Sequence, residues 1–247
     1  MVCTRQAIPK SAMIGAPPQA IGTPMHDLDN PIWSSLTAPQ GCHHRLAQTG
    51  PGWRRYPADH APFLGVAAAD VAVEEALAPG EQRYLLGVLP AVPLGWRSER
   101  YAPLAQMVCA QAPTVREGPE IVPLTGDDRA AVLELTALVY PHYFRPQTMR
   151  LGRYYGIWQA GRLAAMIGER LGTGSAREMS AICTHPEFLG RGYARRLTAW
   201  LTAQTLAAGS LPFLHVSYAN QRAKALYDQL GYRVRLDIEF MALTRPA

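Results

Sequence analysis

Lysine, paired cysteine and long apolar runs are what this 247-residue sequence has least of. Of its 24 basic side chains only Lys10 and Lys224 are lysines, an arginine bias that suits bidentate phosphate recognition and equally fits a genome-composition effect. The four cysteines, Cys3, Cys42, Cys109 and Cys183, lie far apart, which speaks against a disulfide framework or a C-x-x-C zinc element and predicts reduced thiols in a cytoplasmic protein. No run of about 18 uncharged apolar residues occurs, so no membrane-spanning helix is expected. Prolines at 9, 17, 18 and 24 leave the N-terminus without the apolar centre of a secretory signal. With 48% hydrophobic and 17% charged residues, collagen-like and wholly disordered classes are excluded, and one large or two small globular domains remain.

What is present is unevenly spread. Residues 1–118 hold 9 basic and 9 acidic side chains, while 119–247 hold 15 and 10, so the net charge of +5 belongs to the second half, which is expected to meet something anionic. Residues 1–24, rich in Pro, Gly and Ala without a period, read as a disordered leader. Residues 25–118 read as a small α/β unit: a buried strand over 63–68, a helix over 70–77, a turn at Pro79-Gly80 and a second strand over 83–89. The stretch 110–119, with two prolines and a glycine, is the candidate linker, and 119–247 is the second domain.

In that second part the punctuation is sharper. A short strand over 121–124 is followed by Thr125-Gly126-Asp127-Asp128, a capping box ahead of Val132, Leu135 and Val139 at helical spacing, with Pro141 as the stop. Segments 154–158 and 162–171 flank Gln159-Ala160-Gly161, which predicts an antiparallel hairpin. A strand over 178–184 leads through His185 and Pro186 to Gly190 and Gly192, then to a helix with Leu197 and Leu201 on one face that ends at Gly209. A strand over 213–216 precedes Asn220, a favoured N-cap for a helix carrying Ala223, Leu226, Tyr227 and Leu230, closed by Gly231. Apolar and polar residues then alternate from 233 to 242, the period of one half-buried strand.

Strand, glycine loop and helix together make an anion site. Glycines at 190 and 192 let backbone N–H groups close on a phosphate, the helix presents its positive end there, and Arg191 adds a charge. The alternative is a tight turn that needs glycine for geometry alone. Cys183 on its strand reads as a small hydrophobe before it reads as a nucleophile. Cys42-His43-His44 lacks a partner pair at zinc spacing, so no metal is expected. Gly168 to Gly174 lacks the G-K-[ST] of a nucleotide loop.

The run Leu189-Gly190-Arg191-Gly192-Tyr193-Ala194, with Glu178 opening its strand, Pro186 closing it, and Asn220 to Tyr232 reading N-x-x-A-x-x-L-Y-x-x-L-G-Y, resembles the GNAT superfamily of acyl-CoA-dependent N-acetyltransferases. The likeness covers residues 120–243 and departs from the [Q/R]-x-x-G-x-[G/A] hallmark at Leu189. It implies an α/β (α+β) fold with a mixed, largely antiparallel twisted sheet whose parallel strands, here 178–184 and 213–216, splay apart, with flanking helices and the small α/β unit in front, itself readable as a degenerate GNAT-like half. It implies acetyl-CoA as cofactor, with pyrophosphate on Leu189, Gly190, Arg191, Gly192, Tyr193 and Ala194. The pantetheine arm would lie along Ile182, Cys183 and Thr184, near Asn220. Glu178 is the implied base, acting through water, and Tyr227 the donor to the departing thiolate. The other readings are a solvated strand-end charge for Glu178 and a core position for Tyr227.

The expected activity is acetyl transfer to a small-molecule or peptide amine, with no nucleic acid or membrane partner and with a homodimer admitted. A catalytically idle CoA-binding regulatory module is the second hypothesis. A nucleic-acid binder using the arginine surplus ranks last, for want of a helix-turn-helix or stacking signature.

Overall fold

In the computed structural model, which describes residues 26–39, 42–139 and 142–247, turn residues cut the chain into short strands and a few helices. The expected leader, and Pro141 as a helix stop, lie outside the described residues. In chain order the elements are α1 (Pro31–Thr37), β1 (Gln48–Gly50), β2 (Trp53–Arg55), β3 (Leu64–Val66), β4 (Gln82–Leu86), β5 (Arg97–Arg100), β6 (Leu104–Val108) and β7 (Val122–Pro123). There follow α2 (Arg129–Val139), β8 (Tyr154–Gln159), β9 (Arg162–Gly172), β10 (Ala176–Thr184), α3 (Tyr193–Ala207), β11 (Leu211–Ser217), α4 (Gln221–Gln229), β12 (Arg233–Ile238) and β13 (Phe240–Thr244).

The principal sheet has the order β12-β6-β11-β10-β9-β8-β7, and β10 and β11 are its parallel pair. Smaller sheets, β4-β13-β5 and β1-β2-β3, stand beside it. Strand pairing crosses the expected linker: β6, from residues 104–108, lies between β11 and β12, and β13 returns from the C-terminus to β4 and β5. The linker itself has no regular structure and is held down, because Arg196 Nε donates to the Pro119 carbonyl at 2.9 Å, its Nη1 donates to that of Arg116, and Val115 packs on the core.

Strand alternation assigns the helices to opposite faces. Ala165 and Ile167 of β9 meet Leu197 and Leu201 of α3 on one side, while Met166, with Ala181 and Cys183 of β10, meets Val132 and Leu135 of α2 on the other. The capping box forms: the Thr125 N–H donates to Asp128 at 2.8 Å and the Asp127 N–H to Thr125 Oγ1 at 3.3 Å, opening the turn that leads into α2. The β8–β9 hairpin turns through Ala160 (φ 50°) and Gly161 (φ 75°), the two positive dihedrals of a type I′ turn.

Two local expectations fail. Residues 70–77 form turns, not a helix: β-branched Val71 and Val73 and the nearby Pro79 leave too little chain to offset helix nucleation, while Val73, Ala76 and Leu77 bury without it. The alternating run 233–242 is two strands in two sheets, broken at Glu239. Its first half is the edge strand of the principal sheet, with Val234 and Leu236 43% and 40% exposed.

Candidate active site at the parting of two strands

β10 and β11 are paired only from Ala176↔Leu211 to Glu178↔Phe213. Beyond this point β10 follows β9 as far as Thr184↔Ala165 and β11 follows β6 as far as Ser217↔Leu104, so the two strands part. A bulge in β10 lies at the parting, where the register shifts between Ser180 and Cys183 and Ala181 takes φ 49°, a conformation that an alanine seldom adopts unless its surroundings impose it. Two cavities of about 600 and 620 Å³ open here and share Val139, Ile182, Asn220, Ala223 and Tyr227 as walls.

The second cavity is built from backbone and from the start of α3. Gly190 (φ 77°) and Gly192 (φ 79°) line it, Gly192 as the N-cap of the 15-residue α3, so the unpaired N–H groups of the helix start lie at this cavity. A Cβ at either glycine would meet open space, so backbone dihedrals, not crowding, call for glycine. Thr184, Tyr193 and Ala194 also line this wall, with Leu189 at its rim, 49% exposed. Thr184 Oγ1 is buried without a hydrogen-bond partner among the described residues, an acceptor and donor left for a ligand. The cations on the wall are Arg195 and Arg222; Arg191, expected there, instead lies over the Phe188 ring at 5.1 Å. Asn220 caps α4, its Oδ1 accepting the Ala223 N–H at 3.1 Å.

The first cavity holds a buried ionic network. Arg170 donates Nε–H and Nη2–H to the two oxygens of Glu178 at 2.8 and 2.7 Å, and His215 Nδ1–H donates to Glu178 Oε1 at 2.8 Å. Arg235 donates to Gln106 Oε1 at 2.8 Å and pairs with Asp29, while Gln106 Nε2–H donates to the Leu28 carbonyl at 2.8 Å. Arginine can only donate and a carbonyl only accept, so the amide orientation is fixed, and His215 Nε2, 3.1 Å from Gln106 Nε2, accepts. This arrangement places a proton on His215 Nδ1, facing Glu178. Burial alone would push the Glu178 carboxyl up, but the charge and hydrogen bonds of Arg170 and the His215 bond outweigh it and bring it down to about 2. A buried carboxylate held ionised by two partners is a weak proton acceptor, which favours an anchoring role for Glu178 over the expected one as base.

Tyr227 is buried at the wall common to both cavities and also belongs to the α3/α4 core, with Tyr232 6.0 Å away, so its two readings coexist. Burial pushes the Cys183 thiol up to about 12, and the side chain packs under α2, as suits an unreactive hydrophobe. His43 is a buried cross-link of the fold, with Nε2–H donating to the Leu151 carbonyl at 2.6 Å and Nδ1 bonded to Ser35 and Tyr56.

A family model for FR47-like proteins matches residues 154–241, the span from β8 into β13 that carries the cavities' shared wall except for Val139. Among solved structures, a GNAT-family acetyltransferase of Novosphingobium aromaticivorans DSM 12444 is 33% identical, with a TM-score of 0.80, over 90% of this chain and 100% of its own. This chain belongs to the GNAT family. A Drosophila protein shares the fold alone, at 19% identity and TM-score 0.53 over 68% of this chain and 61% of its own. No curated protein matches the sequence.

Within the GNAT fold the splayed strands and the loop ahead of α3 stand as the sequence resemblance implied, and the bulge in β10 is an addition from the structure. The site residues that sequence reading missed are Arg170, Gln106 and His215. Each is a polar side chain interrupting an apolar strand, which was the one available signal. No helix among the described residues is long and apolar enough to cross a membrane.

Proposed function

We propose that this GNAT protein transfers an acetyl group from acetyl-CoA to a primary amine. The observation that carries this reading is the meeting of the two cavities at Tyr227 and Ile182, where β10 and β11 part. The second cavity fits the cofactor: anion-binding N–H groups at its glycine loop, two arginines, an apolar wall and the unpartnered Thr184 hydroxyl. Acetyl-CoA, when bound, supplies the acetyl group activated as a thioester. The reaction forms one N–C bond, breaks one C–S bond and moves a proton from nitrogen to sulfur.

The chain's own residues account for the rest. Gly190, Gly192 and the α3 start take up negative charge, Arg195 and Arg222 add cations, and backbone groups of Ile182 and Thr184 on the open side of β10 offer partners to an extended arm. Tyr227 Oη holds a proton at the junction; a phenol near 10 is a weaker acid than a thiol near 8.5, so its contribution is position, not driving force. The Arg170–Glu178–His215 cluster keeps the acceptor cavity rigid and electrically balanced. The test is direct: millimolar CoA raises the melting temperature by mass action, and acetyl-CoA with an acceptable amine releases free thiol. CoA stabilisation without thiol release for any amine would leave a binding module; no stabilisation would remove the reading.

A further inference from the structure

The reading of the first cavity as the acceptor site is the premise here, and the walls of that cavity limit what it accepts. Phe63, Tyr101, Tyr143 and Phe240 form one aromatic surface: Tyr143 lies 6.3 Å from Phe63 and 6.2 Å from Phe240, and Tyr101 lies 5.0 Å from Phe240. Among the described residues on this cavity, the ones with a permanent charge are Arg170 and Glu178, and they face each other. Each disfavours one class of charged substituent. A carboxylate on the acceptor would find Arg170 Nε and Nη2 already given to Glu178 and would stand beside that ionised carboxylate. A second ammonium group would lose its hydration in a mostly apolar space, where the Arg170 guanidinium already lies over the Phe63 ring at 4.7 Å.

We infer that the acceptor is a primary amine borne on an aromatic or other apolar body that carries no second charged group. Such surroundings also resolve how the nitrogen loses its proton without Glu178. An apolar wall disfavours the ammonium form, so the amine reaches the junction neutral, and the one proton it still sheds on forming the amide leaves with the departing thiol.

The experiment uses the full chain with acetyl-CoA and compares thiol release with benzylamine, glycine and putrescine, as kcat/KM on the free-base amine, while CoA binding is followed by calorimetry. Benzylamine is expected to exceed both others by about tenfold or more. Tyr101→Asp, which adds a carboxylate to the half-buried part of the wall, is expected to raise putrescine relative to benzylamine by about tenfold. If CoA binds yet benzylamine is no better than glycine or putrescine, including no turnover with any, the acceptor class is wrong and CoA binding stands alone. If CoA does not bind, the premise fails as well.

Discussion

The two cavities on either side of Tyr227 are made of different material. The glycine-loop cavity takes its anion-binding wall from one short stretch, 189–195, whose backbone dihedrals and helix start make that part of the site. The aromatic cavity is assembled from side chains that the chain brings together from residues 63, 101, 143, 170, 178, 215 and 240. A backbone site binds what every relative with the same turn binds, whereas a side-chain site is free to differ. On the proposed reading, the contrast puts cofactor binding in one cavity and acceptor choice in the other.

The largest expected effect lies in the side-chain cavity. Glu178→Ala leaves the Arg170 cation buried without its partner and is expected to cost about 3–5 kcal/mol of stability, read by denaturant unfolding. Replacing both partners with methionine is expected to recover most of that loss, and a double variant as unstable as the single one would contradict the pairing argument. The same carboxyl sets an acid limit. Its folded-state value, about 2, lies below the ordinary 4.5, so its stabilisation is complete above about 4.5 and drains away as pH falls toward 2. Glu178→Gln is expected to flatten that part of the stability–pH curve.

Next in size comes the backbone cavity. Gly192→Ala forces an alanine to φ 79° and is expected to weaken CoA about tenfold by calorimetry, with the fold intact because its Cβ meets open space. An unchanged affinity would show that the loop geometry does not matter to the cofactor. Smaller and of opposite sign, Leu189→Arg supplies one of the two residue types of the hallmark, Gln or Arg, at the cavity rim and is expected to tighten CoA by up to about tenfold. Arg191→Ala is expected to be the weakest of all, since that guanidinium rests on Phe188, while Arg222→Ala reduces both affinity and its salt dependence.

The difference between the cavities is also the difference between what the sequence disclosed and what it hid. The glycine loop, the caps at Thr125 and Asn220 and the hairpin at 159–161 are local signals, and each forms where its residues stand. The failures at 70–77 and at Glu239 are tertiary: burial held the first as turns, and two sheets competed for the second. The sequence reading assigned no strand to 104–108, although Gln106 there reaches His215, 109 residues away. Glu178 was found as a motif position without its partners Arg170 and His215, because these are set by strand register and not by any spacing in the chain.

The central claim is that Tyr227 stands where the two cavities become one reaction site. Turnover and CoA affinity of Tyr227→Phe, measured side by side under conditions where chemistry is rate-limiting, test it most directly. The account predicts turnover lowered by about 10- to 1000-fold with CoA affinity within about twofold of the parent. Unchanged turnover would return Tyr227 to the core and leave the two cavities without a chemical link.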